Sequence, residues 1–204
     1  DEAAGDACED DVLGPRLLRR LTHTAYDNTI FDLLGVSSDY GKNFAADNVV
    51  DGFFNNAEAL TVTGLLADQY RDAAENIAVQ AISFNVEGLL TCDPVDEGQA
   101  YCAALFIRDV GGKAFRRPLT EDELGQYWSI WDTVAVEDGF TEGLQWTLTA
   151  LLQSPHFLYR MELGAFNTED EHFALTDWEV ATQLSYLFWD TMPDGALLTR
   201  AANG

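Results

Sequence analysis

Apolar residues recur along most of the chain at helical spacing. Tyr26, Ile30, Leu33 and Leu34 form one stripe, with Thr22 or Thr24 as the helix cap and Gly35 as its end. A second helix is predicted over 64–82, capped by Thr63. Leu66, Tyr70, Ala73, Ala74, Ile77 and Ala81 make its buried face. Residues 83–90 fit either a helix tail or a short extended piece. A third helix is predicted over about 97–110 with Tyr101, Leu105 and Phe106 inward, and Gly111-Gly112 is expected to interrupt it. Thr120 and Glu123 have capping-box spacing ahead of Leu124, Tyr127, Trp128 and Trp131. Leu144, Leu148, Leu151 and Leu152 mark a fifth helix starting near 139–142. Ser154-Pro155 restarts a segment over 156–162 that Gly164 ends. A second capping box, Thr176 and Glu179, opens a helix whose inward face is assigned to Trp178, Leu184, Leu187 and Phe188. A last short helix is predicted over 196–202.

No alternating pattern is long enough to predict a strand, so the fold class is all-α, a multi-helix domain with long loops. A soft boundary near 83–100 leaves open two helical subunits. The organisation read from this is a flexible N-terminal segment over 1–15, an N-terminal helical module over 16–90 and a C-terminal module over 91–204.

Charge narrows the partners. Eleven Lys and Arg stand against 35 Asp and Glu, a formal net charge of −24. Such a surface repels nucleic-acid phosphates and anionic lipid, so neither is expected as a partner. No apolar run approaches the ~20 residues of a membrane span, so no membrane insertion is expected. The opening DEAAGDACEDD is acidic and polar, as suits a mature terminus after removal of a leader. Of the three cysteines, Cys92 and Cys102 flank a polar turn. A disulfide between them would stabilise by roughly 3 kcal/mol in the chain-entropy model. Cys8 is then left free or paired outside the chain. Without a CxxC or suitably spaced histidines, zinc is not expected.

The stretch between the first two helices, FAADNVVDGFFNNAEAL (44–60), is rich in oxygen ligands. Asp47, Asp51, Gly52, Asn55 and Glu58 fit an EF-hand loop at its first, fifth, sixth, ninth and twelfth places, while Val49 breaks the third. Two readings stand: a calcium site of Asp47, Asp51, Asn55 and Glu58, or a loop whose Asn and Asp side chains bond its own backbone. Arg16, Arg19, Arg20, Arg108, Arg116 and Arg117 either make internal ion pairs and carbonyl bonds or form a docking patch for carboxylates. For that patch Arg116, Arg117 and His156 are the candidates. His23 and His172 are expected to be exposed. The tryptophans all lie after residue 120; Trp128 and Trp131 share a helical stripe with Tyr127 and are read as core, with sugar stacking on an exposed tryptophan as the alternative. Ser154 and His156 make no triad, since no orienting acid is identifiable.

Five segments together carry a resemblance: LRRLTHTAYDNTIFDLLGV (18–36), DGFFNNAEALTV (51–62), FRRPLTEDELGQYW (115–128), LLQSPHFLYRMELG (151–164) and LTDWEVATQLSYLFWDTMPDGALL (175–198). In this order they resemble the secreted helical modules of planctomycete and myxobacterial proteins of unknown function, often joined to a cytochrome c domain. The resemblance implies export to the periplasm or beyond. It also implies a longer polypeptide, whose remaining C-terminal part, or a partner chain, stands against this one. It supplies no catalytic residues. The chain has no CxxCH, so it attaches no c-type haem covalently, and haem would enter only through a partner domain. Three functions follow as expectations. The first is an accessory module that positions a redox domain or binds an extracellular partner. The second is part of an extracellular oxidoreductase completed by a C-terminal portion. The third is a calcium-stabilised polysaccharide-binding protein.

Overall fold

The computed structural model describes residues 18–37, 39–52, 55–167 and 172–204. The segment 1–15, with Cys8, and also Arg16, Phe53 and Phe54 lie outside the described residues, as does the side chain of His172. The described residues form eight α-helices and two very small antiparallel strand pairs, a mostly helical fold.

Caps place most helix boundaries where the sequence predicts them. Thr22 Oγ1 accepts from the Ala25 N–H at 3.1 Å and starts α1 (His23–Leu34), which Gly35 closes at φ 68°. Thr63 starts α2 (Gly64–Leu89). The ambiguous 83–90 stretch is its tail, interrupted only at Asn85 (φ −138°, ψ 18°). Asn85 leaves helical geometry and donates its Nδ2 to Leu34 O at 2.8 Å, which satisfies an orphan carbonyl at the end of α1. The expected interruption at Gly111-Gly112 does not occur, and α3 runs unbroken over Gln99–Phe115. A Cβ at Gly111 would lie 3.0 Å from both Leu119 methyls, so this glycine serves close packing rather than a break. Thr120 and Glu123 form the capping box of α4 (Glu121–Glu137). The fifth helix, α5, is Phe140–Gln153.

After α5 the structure departs further from the sequence reading. The segment predicted over 156–162 is helical only in α6 (Pro155–Leu158) and then extends as β2 (Tyr159–Arg160). That strand pairs antiparallel with β1 (Arg19–Arg20), in register Arg19 to Arg160 and Arg20 to Tyr159. A hairpin of β3 (Ala165–Asn167) and β4 (His172–Ala174) precedes α7 (Asp177–Phe188) and α8 (Gly195–Asn203). Strands of two or three residues are too short to leave an alternating pattern.

The centre of the molecule is α5. Leu144, Leu148, Leu151 and Leu152 are fully buried, and α5 packs on α2, α3 and α4. Each such leucine contributes about 1.5–3 kcal/mol relative to exposure. One hydrophobic cluster runs from Leu21 to Met192 and draws on both helical stretches. The Cys92–Cys102 disulfide is formed and ties the turn before α3 to its first turn. Among the described residues no helix is long and apolar enough to cross a membrane.

Candidate functional site

The 44–60 loop is anchored by its ends, Phe44 and Leu60, both buried. Phe44 packs edge-on against Tyr26 and Tyr70, with ring centres 5.2 and 4.9 Å away. Asp47 turns inward. Its Oδ1 pairs with Nη2 of Arg20 and lies 3.4 Å from His23 Nε2. Arg20, fully buried, also donates to Leu21 O at 3.0 Å and to the Tyr70 hydroxyl. Burial pushes the Tyr70 phenol up to about 12, against the pull of Arg20. His23 is thus half-buried rather than exposed, and burial lowers its pKa despite Asp47. The other three calcium candidates, Asp51, Asn55 and Glu58, are exposed. Asp51 (φ 51°) and Gly52 (φ 84°) are both left-handed and turn the loop. Asn56 Oδ1 accepts from the Glu58 N–H at 2.9 Å, the local backbone bonding that the alternative reading expects. Among the described residues no three or more His, Cys, Asp or Glu side chains are grouped to hold a metal ion.

Arg116, Arg117 and His156 are brought together, by the end of α3 meeting the start of α6. Arg116 occupies the left-handed C-cap of α3 (φ 58°) and is 2% exposed. Its Nη2 donates to His156 O and Tyr159 O, each at 2.7 Å, and to Phe157 O at 3.2 Å. Its Nη1 donates to Phe157 O at 3.2 Å and, at 3.4 Å, to the Tyr186 hydroxyl. The Thr29 hydroxyl gives its one proton to Ala25 O at 2.6 Å. Tyr186, 2.8 Å from Thr29 Oγ1, is therefore the donor in that pair. A chain of polar groups thus links α3, α7 and α1 through the core.

Arg117 forks onto both oxygens of Glu123, each at 2.8 Å. His156 Nδ1 faces Arg117 Nη2 at 3.4 Å and its Nε2 faces Glu123 at 3.4 Å. That arrangement fits a neutral ring protonated on Nε2. Burial and the Arg117 charge lower the His156 pKa, with Glu123 opposing. The Arg117 hydrogen bond holds Glu123 at about 2. A carboxyl depressed in the folded state contributes stability above its ordinary range and loses it as pH falls through the folded value. Denaturant midpoints are therefore expected to fall between pH ~4.5 and ~2, with Glu123→Gln flattening that part of the profile. An unchanged slope in the variant would refute the assignment.

The largest departure from the sequence reading is on α7. Its buried positions are Ala181, Thr182, Ser185 and Tyr186, small or polar except for the tyrosine. The stripe assigned to the core faces outward: Leu187 is 73% exposed, Phe188 67% and Leu184 41%. Trp189, just past the helix, is 66% exposed and lies edge-on to Phe188 at 5.8 Å. Of the two tryptophans read as core, Trp131 is buried and Trp128 half-buried, while Trp146 and Trp189 are exposed. Beside the α7 stripe, between α7 and α8, lies a cleft of about 860 Å³ lined by Leu184, Phe188, Trp189, Met192, Leu197 and Leu198. Lys113 and Arg200 stand at its edge with Asp32 and Asp194. These exposed apolar side chains adjoin the cleft rather than the core. The sequence carried the stripe but not its direction.

Comparison with protein families gives three matches in chain order. Residues 19–83 match PSD3, a protein of unknown function (DUF1587). Residues 102–162 match PSD5, a protein of unknown function (DUF1595). Residues 175–204 match PSD4, a protein of unknown function (DUF1592). No curated protein and no solved structure matches the chain. Over most of its length the chain is thus similar to a family of proteins of unknown function marked by these three modules.

Proposed function

We propose that the chain is an accessory helical module of an exported, cytochrome-associated multidomain protein, and that the α7–α8 face holds a redox domain. The observation that carries this reading is the outward stripe of Leu184, Leu187, Phe188 and Trp189 beside an apolar cleft. Charge selects the occupant. A chain with a formal net charge of −24 attracts a domain whose apolar contact patch is ringed by Lys and Arg, and repels another copy of itself. A c-type cytochrome domain with a lysine-rimmed haem edge has that chemistry. The Cys92–Cys102 bridge supports export, because disulfides persist in oxidising compartments. Haem belongs to the partner in this reading; the chain's role is to bind and orient.

The test is titration of the chain with a basic c-type cytochrome domain, read by haem quenching of tryptophan fluorescence. Phe188→Asp is expected to weaken binding at least tenfold, about 1.4 kcal/mol or more, as for an anchor residue. Affinity is expected to fall steeply with salt. Equal affinity for the variant, or no quenching at low ionic strength, would reject the reading.

A further inference from the structure

Most arginines with described surroundings have an acceptor. Arg20 has Asp47, Arg71 has Asp68 and Asp72, Arg108 has Asp109, Arg116 has three carbonyls, and Arg117 has Glu123. Arg160 differs. It is half-buried in β2, and among the described residues its guanidinium makes no hydrogen bond and no ion pair. It stands 5.6 Å over the ring of Tyr186, whose ring also carries Arg116 at 5.7 Å. The β1–β2 register sets Arg19 directly opposite Arg160, so both side chains leave the same face of the ladder. Like charges at directly opposite positions destabilise a strand pair. Arg160 thus has two further guanidinium groups, those of Arg19 and Arg116, within electrostatic range, in a protein that has only 11 Lys and Arg. Glu162 and Asp190 lie within electrostatic range, but neither closes on Arg160 as an ion pair.

We propose that Arg160, with Arg19 beside it, forms a binding site for a carboxylate group. The Arg160 guanidinium is half-buried but still open to water, so its planar fork is free to accept a ligand, and that fork matches a carboxylate in bidentate geometry. The net charge of −24 selects the monoanion, since a dianion is repelled more strongly on approach. Arg19 is exposed and supplies the second donor on the open side. Arg116 cannot take part directly, because both its Nη atoms already hold protein acceptors. The site is independent of the α7–α8 docking reading and would remain if that reading failed.

The test is thermal unfolding of the whole chain in sodium acetate against sodium chloride at matched ionic strength and pH 7. At ten times its dissociation constant, acetate is expected to raise the melting temperature by about 3–6 °C. Arg160→Gln should abolish the difference. Arg160→Lys, which keeps the charge but loses the fork, should remove most of it, and Arg19→Gln should reduce it. Glu162→Gln should preserve or increase it, by removing a competing acid. Three results would overturn the proposal. One is an equal acetate effect in wild type and Arg160→Gln. Another is a response to sodium sulfate with none to acetate. The last is an absence of any anion effect together with non-additive losses in Arg160→Gln and Glu162→Gln, which would show that the two residues pair with each other.

Discussion

Arg116→Met is expected to lower the stability of the fold by about 3–5 kcal/mol, a large share of the roughly 5–15 kcal/mol that holds a domain together. The side chain is as buried as a core leucine, yet all its described partners are polar. Methionine fills comparable space but leaves the carbonyls of His156, Phe157 and Tyr159 without their guanidinium donor. Each acceptor stranded away from water costs about 1–3 kcal/mol. Backbone strain does not offset this loss, because methionine keeps the Cβ of arginine. Arg116 sits at φ 58°, where a residue with a Cβ is strained. Arg116→Gly separates the two contributions, since it relieves the backbone and deletes the donors together. It too is expected to be strongly destabilising, with the guanidinium outweighing the strain. Urea unfolding of both variants at unchanged m-value gives the comparison. A loss below about 1 kcal/mol for methionine would mean that water satisfies those carbonyls.

Asp47→Ala is expected to cost a similar amount, about 3–5 kcal/mol, through the charge it leaves behind rather than the contact it removes. Arg20 is fully buried, and Asp47 is its one described carboxylate partner. Without Asp47 the guanidinium keeps Tyr70 and Leu21 O but has no counter-charge. The double variant Arg20→Met/Asp47→Ala is expected to recover much of the loss, because replacing a whole buried ion pair by apolar residues is often neutral or better. Strict additivity of the two single losses would show that the residues do not act as a pair. The same residue bears on the calcium reading. If millimolar calcium raises the melting temperature and Glu58→Gln removes that rise, the set Asp47, Asp51, Asn55 and Glu58 is a cation site. If calcium has no effect, the loop rests on Arg20, the Asn56 turn and its buried ends.

The helices were legible because their signals are local. Thr120 with Glu123 and Thr176 with Glu179 are capping boxes in sequence and in structure, and Thr22, Thr63 and Gly35 stand where a helix begins or ends. What local signals cannot carry is direction and partnership. Periodicity put Leu184, Leu187 and Phe188 on one face of α7, but burial of that face depends on what stands opposite it. The core instead took Thr182, Ser185 and Tyr186, of which Thr182 donates to Trp178 O and Tyr186 finds partners in Thr29 and Arg116. Gly111 reads as a helix breaker in isolation and as a packing contact once Leu119 is beside it. Arg116 and Arg117 are adjacent and chemically identical, yet one is sealed against α6 and the other half-buried on Glu123. Of the candidate site residues, spacing gave the disulfide and the acidic loop. The Arg20–Asp47 pair and the Arg19–Arg160 rung join residues too far apart in sequence for any spacing rule.

The β1–β2 rung also sets a timetable. Arg20 pairs with Tyr159, 139 residues later, and the Leu21 N–H donates to Leu158 O. A ribosome adding about 5–20 residues per second needs about 7–28 s to synthesise the intervening chain. Until Tyr159 is added, α1, and then α2 once residue 89 has been made, exist without the strand that closes over Arg20 and without Phe157 against Tyr26. The apolar faces of these early helices are then open to whatever binds nascent chains. The six residues from Pro155 to Arg160, which supply α6, β2 and the carbonyls that Arg116 holds, act as a late clasp that joins the beginning of the chain to its middle.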